Sequence, residues 1–92
     1  MANEENEIVE EGKLIGRITH YFGNIEVAVI ELDDTLKVGD TIRIIGGEGT
    51  DFNQTVESME VEHEKVKTAK AGDSIGLKVD QKVREGYKVY KV

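Results

Sequence analysis

The stretch GGEGTDF at residues 46–52 sets three glycines into four positions, directly after the β-branched pair Ile44 and Ile45. A glycine-rich turn is one form a phosphate cradle takes, because backbone amides can approach an anion where no Cβ intervenes. A nucleoside-triphosphate loop needs G-x-x-x-x-G-K-[ST], in which the lysine meets the β and γ oxygens and the hydroxyl holds magnesium. Here no lysine follows the glycines, and Glu48 and Asp51 would repel a phosphate. No helical pattern follows whose N-terminus could add its dipole. The dinucleotide spacing G-x-G-x-x-G also fails, since only Gly47 and Gly49 satisfy its first step. The loop is expected to turn the chain between two strands, and no nucleotide or other cofactor is expected.

Other reactive types are sparse. Cysteine is absent, which removes thiolate nucleophiles, thiolate metal sites and disulfides. Ser58 and Ser74 stand in no nucleophile-elbow context. His63 has Glu60, Glu62 and Glu64 beside it, but His20 is far away and the spacing matches no metal-ligand pattern, so a solvated turn is expected. Asp33, Asp34 and Asp40 lack the calcium-loop order and its closing Glu. Paired carboxylates carry little information in a chain that is 34% charged. No catalytic role is expected.

Binding has more to work with. Tyr87 and Tyr90 alternate with Lys88 and Lys91, Arg84 lies just before them, and Tyr21 is the third tyrosine. Aromatic faces beside cations can stack unpaired bases and hold phosphates. The competing reading is a strand with one face in the core and snorkelling lysines on the other. The candidate nucleic-acid contacts are Arg17, Tyr21, Lys78, Lys82, Arg84, Tyr87, Lys88 and Tyr90. Charge is unevenly spread around the net −7: Met1 to Glu11 holds five Glu and no base, whereas Lys65 to Val92 holds eight bases against three acids. The acidic total argues against strong non-specific binding to nucleic acid.

The elements that must position these residues read as strands. Ile and Val outnumber Leu by 20 to 4, and branching at Cβ suits a pleated surface better than a helix. KLIGRITHYF alternates, with Leu14, Gly16, Ile18 and His20 on one face and Ile15, Arg17, Thr19 and Tyr21 on the other. Gly23-Asn24 then offers a tight turn. IEVAVIEL reads as a second strand, and TIRIIG as a third with Ile42 and Ile44 in phase. Between them, DDTLKVGD is a connection. Phe52, Gln54 and Val56 share one parity, whereas Met59 and Val61 share the other. A strand with an extra residue near Ser58 reconciles them; a helix from about Val56 to Lys70 is the rival, but it would bury few apolar residues. DSIGLKV places Ile75, Leu77 and Val79 inward, and YKVYKV closes the chain.

At 92 residues this is one small domain: an acidic tail over 1–12, expected to be disordered, and a β domain over 13–92. Repeated short strands with turn signals and no secure helix predict an all-β fold, a small closed or nearly closed antiparallel β-barrel of about six strands. No signal-peptide pattern and no long apolar run is present, so a cytoplasmic protein without a membrane partner is expected. NQT at Asn53 matches the glycosylation pattern and is expected to be chance.

LKVGDTIRIIG, VESMEVEHEKVKTAKAGDSIGLKV and KVREGYKVYKV resemble the second, β-barrel domain of translational GTPases such as elongation factor Tu, from about Gly16 to Val92. The likeness rests on turns: Gly39-Asp40 and Gly72-Asp73 beside the strands they join, and Gly76, expected to let two backbones approach. The connection Gly46, Gly47 and Gly49 joins them as a structural turn. Ile42, Gly46, Asp51, Phe52 and Val56 also fall on I-x-x-x-G-x-x-x-x-D-F-x-x-x-V, which is similar to the C-terminal barrel of collagenase-like peptidases and related tRNA-modifying proteins. No P-loop, magnesium-binding Asp motif or guanine-specificity motif accompanies the barrel, so GTP hydrolysis is not expected. The resemblance implies a stand-alone, non-catalytic module whose partner is tRNA, the ribosome or a translation-related protein. The alternative is a protein-interaction adaptor whose partner supplies the chemistry and on which the acidic tail orders.

Overall fold

A computed structural model describes residues 12–47 and 49–92; the acidic tail over residues 1–11 and Glu48 lie outside the described residues. Ten short strands follow one another: β1 (Lys13–Phe22), β2 (Val27–Leu32), β3 (Leu36–Lys37), β4 (Thr41–Gly46), β5 (Thr50–Thr55), β6 (Met59–Val61), β7 (Glu64–Val66), β8 (Thr68–Ala69), β9 (Ser74–Lys78) and β10 (Lys88–Lys91). No helix occurs among the described residues, so the helical alternative over 56–70 is set aside. The expected count of about six strands is too low. The segment after Thr55 leaves the ladder at Val56–Ser58 and turns again at Glu62-His63, dividing into three strands.

Eight strands form one antiparallel sheet in the order β5-β4-β10-β1-β2-β9-β6-β7, and β3 pairs with β8 separately. Of the closed or nearly closed barrel expected, full closure is not found, because β5 and β7 end the sheet without pairing to each other. The sheet nevertheless curls until β5 comes beside the end of β9. There the Gln54 amide spans the gap: Nε2 donates to the Lys78 carbonyl at 2.9 Å, and Oε1 accepts from the Asp80 amide at 2.8 Å. A side chain thus does at this seam what ladder bonds do elsewhere. It also satisfies both ends of a buried polar group, whose desolvation would otherwise be costly.

The inner face is a single aliphatic cluster drawn from nearly every strand, including Ile15, Ile30, Ile42, Ile44, Met59 and Ile75. Burying each such side chain contributes about 1.5–3 kcal/mol against leaving it in water. Strand β1 departs from the simple alternation expected of it. Its register slips between Leu14 and Gly16 against β10, and between Ile18 and His20 against β2. These bulges bring Ile15 and Ile18, nominally of opposite parity, into the same core, while Leu14 and His20 face out.

Two turns are built alike. In KVGD (37–40) and KAGD (70–73) the glycine has φ of 101° and 94°, the left-handed region that a Cβ disfavours. Each closing Asp accepts from the amide of the opening Lys at 2.9 Å, and its own amide donates back to that Lys carbonyl at 3.0 Å. Gly76 differs from the close approach expected of it: a Cβ there would meet only the Val27 side chain, at an ordinary 3.6 Å. The tight approach occurs at Gly16, where a Cβ would collide with the Glu31 carbonyl across the β1–β2 ladder.

Candidate nucleic-acid interface

The later half of the connection from β9 to β10 is held against β1 by a buried side chain and two backbone bonds. Val83 sits in the core, Ile18 donates its amide to the Tyr87 carbonyl at 2.8 Å, and Gly86 donates to the Ile18 carbonyl at 2.7 Å. These ties press the connection onto β1. Because Val83 points inward, its neighbours Lys82 and Arg84 point out. Together with Tyr21 and Glu85 they line an open depression of about 440 Å3. Tyr21 is half-buried and packs on the core from the end of β1.

The outer face of the β1–β10 ladder carries further cations. Arg17 lies directly across from Lys88, and both are exposed. The Arg17 guanidinium donates to Glu31 at 2.8 Å on the neighbouring strand, which offsets part of its charge. Glu85 lies 3.4 Å from Nδ1 of His20, whose ring stacks on Phe22 with centroids 6.0 Å apart. Three predicted contacts, Tyr21, Lys82 and Arg84, line the depression, whereas Arg17, Lys88 and Tyr90 stand together on the outer face of the β1–β10 ladder.

Lys78 and Tyr87 lie apart. Lys78 lies opposite Val27, in a depression shared with Glu26, Glu57 and Asp80, where acids prevail. Tyr87 and Tyr90 are three positions apart along an extended chain, an odd separation that sends them to opposite sides. Tyr87 is half-buried, packing against the core and over Gly46 and Gly47. Tyr90 shares the outer side with Lys88, opposite Leu14 on β1 and Arg43 on β4.

Several features escaped the sequence reading. Arg43 grips Asp51 across the β4–β5 ladder through two parallel bonds, Nε at 2.8 Å and Nη2 at 2.7 Å. That fork lowers the Asp51 pKa below the ordinary 3.8, and Lys13 together with the Thr35 amide does the same for Asp34. Alternating sign at i and i+8 around the glycine loop was the available clue to the first pair. Phe22 and Ile25 are exposed beside Glu60, Glu62 and His63, a surface taken up below. Among the described residues no three His, Asp or Glu side chains converge as metal ligands, and no helix is long and apolar enough to cross a membrane.

Known proteins share this fold. The family described as elongation factor Tu domain 2 matches residues 35–89. An uncharacterised protease of Methanocaldococcus jannaschii is 43% identical over 76 residues, which cover 83% of this chain but 19% of that protein. The chain thus spans about a fifth of that relative's length. Two crystal structures of the C-terminal domain of a Geobacillus thermoleovorans protein assigned to the U32 peptidases superpose with a TM-score of 0.81 at 18% identity. One covers 86% of this chain and 99% of that domain, the other 87% and 92%, a likeness of fold. With more than half of its residues matched by a single family description, the chain belongs to the elongation factor Tu domain 2 family.

Proposed function

We propose that this domain is a non-catalytic binding module that grips RNA of the translation apparatus, tRNA or ribosomal, along the β1–β10 side. One observation carries the reading: Tyr21 stands beside Lys82 and Arg84 around an open depression, and Arg17 pairs with Lys88 on the outer face of the adjoining ladder. A tyrosine edge or face next to two cations offers an unpaired base a stacking partner and its phosphates a counter-charge. Family membership supports the translational side of the proposal. The acidic total confines attraction to this strip, so binding is of modest strength and steeply salt-dependent.

Filter binding with tRNA and with ribosomes, at low and at moderate salt, tests it. Retention at low salt is expected, with each phosphate contact contributing about −0.7 to the logarithmic salt slope for single strands. Reversing Lys82, Arg84 and Lys88 to Glu should abolish retention. Tyr21→Leu keeps the packing and should weaken binding by about 1–3 kcal/mol if a base stacks there. Absence of binding at low salt, or indifference to the triple reversal, rules the proposal out.

A second reading, an adaptor whose partner supplies the chemistry, is favoured by the Methanocaldococcus relative, a named protease in which the matched module is 19% of the chain. A stable, RNA-free complex recovered with the wild type and with the triple reversal alike would favour it over RNA binding.

A further inference from the structure

We propose that the outer face of β2, β9 and β6 is a docking groove for a partner protein segment carrying one aliphatic or aromatic side chain flanked by Lys or Arg. The groove holds about 420 Å3 and faces away from the Tyr21 depression, since Tyr21 and Phe22 are consecutive on a strand and point to opposite sides. Its apolar rim is Phe22 and Ile25, 48% and 59% exposed, and its walls include Val27 and Val29. An apolar surface of this kind, edged by polar groups, marks an interaction site more often than an isolated exposed residue does.

Two positions along the groove break the rules that would make the fold most stable. Gly76 sits in the middle of β9 with no positive φ and no backbone pressed against it. Glycine weakens a strand, and neither of its ordinary structural reasons applies here. Its effect is a bare floor between Val29 and Glu60, its partners on the neighbouring strands. The β6–β7 hairpin turns through Glu62 and His63 at φ of 53° and 68°. A two-residue turn with both residues left-handed favours Asn-Gly, so Glu and His hold their places at a cost in backbone strain. Both side chains line the groove.

Charge selects the occupant. Glu60 and Glu62 form no ion pair among the described residues, although Lys65 lies across the hairpin from Glu60. An acidic rim around an apolar floor attracts a cationic segment and repels phosphates, which favours a protein partner over RNA.

The test uses arrayed nine-residue peptides with a central Phe, Leu, Ile or Trp and Lys or Arg flanks. Matched arrays carry Glu flanks or a central Ala. Binding is read by fluorescence polarisation and by 15N amide shifts on the whole chain. Members of the cationic array should bind at least tenfold more tightly than their matched controls, with shifts confined to Phe22, Val27, Glu60 and Gly76 and their neighbours. Gly76→Val should melt no lower than the wild type and bind at least tenfold more weakly. The pair E62N and H63G should melt higher and also bind more weakly, which keeps the test open if Gly76→Val folds poorly. The triple reversal at Lys82, Arg84 and Lys88 should leave peptide binding intact, separating this site from the RNA strip. Overturning results are an unresponsive cationic array, shifts centred elsewhere, both groove variants binding like the wild type, or single-stranded RNA moving the same amides more strongly than any peptide.

Discussion

The ring of Tyr87 packs against Gly46 so closely that a Cβ on the glycine would collide with its Cγ and Cδ1, and its hydroxyl reaches over Gly47. The glycine loop after β4 is therefore shaped by the residue that leads into β10, four decades further along the chain. The two glycines leave room for an aromatic side chain, and Tyr87 in return caps the β4–β10 seam. Gly46→Ala must displace the ring from its base, since the colliding atoms include the ring carbon nearest the backbone. Overpacking of this kind costs about 1–3 kcal/mol. Tyr87→Ala should cost at least as much, and the double variant less than the sum, because the second change removes the collision made by the first. Urea unfolding of the four proteins checks the coupling; strict additivity would mean that the contact carries no energy.

The paired KVGD and KAGD turns should respond in parallel. Asp40→Ala and Asp73→Ala each remove a carboxylate that accepts from a backbone amide, a loss of about 0.5–1.5 kcal/mol. Asp40 should be the costlier, since Lys91 Nζ also lies 3.7 Å from its carboxylate. Thermal melts in low and high salt separate the contributions: the excess at Asp40 should shrink with salt, and the shared part should not.

Gln54 supports a prediction at the seam. Gln54→Leu keeps the volume but leaves the Lys78 carbonyl and the Asp80 amide without their partner, costing about 1–3 kcal/mol. Amide exchange gives a local readout. The Asp80 amide should lose protection selectively, ahead of the β1–β2 ladder. Uniform loss of protection would instead mark a general destabilisation.

Gln54 also shows where sequence reasoning reaches and where it stops. Its parity with Phe52 and Val56 correctly sends it inward, because alternation is local and needs only two neighbours. Its job was not legible, since its partners lie 24 and 26 residues away. The same division holds elsewhere. The span of β1 and the inward phase of Ile75, Leu77 and Val79 follow from local pattern. The bulges that bring Ile15 and Ile18 together depend on register with two other strands. Tyr87 and Tyr90 read as a pair by composition, yet their odd spacing separates them, and the nearer companion of Lys82 and Arg84 is Tyr21, some sixty residues earlier.

The Arg43–Asp51 fork makes a prediction about acid. The guanidinium stabilises the charged carboxylate, so the folded pKa of Asp51 lies below its ordinary 3.8. A lowered folded pKa adds stability above the unfolded value, and that stability is lost as pH falls through the folded one. The relevant window is therefore below about pH 4, not the neutral range. Arg43→Met should return the Asp51 titration, followed by carboxyl 13C shifts, towards 3.8. The melting-temperature gap between wild type and Arg43→Met should be widest above pH 4 and narrow as the pH is lowered through the wild-type Asp51 transition. Both groups meet solvent, so 0.5 M salt should narrow the gap at every pH. A gap that stayed constant from pH 5 down to pH 2 would assign the role of Arg43 to the packing of its aliphatic stem along β4, with the fork contributing nothing measurable.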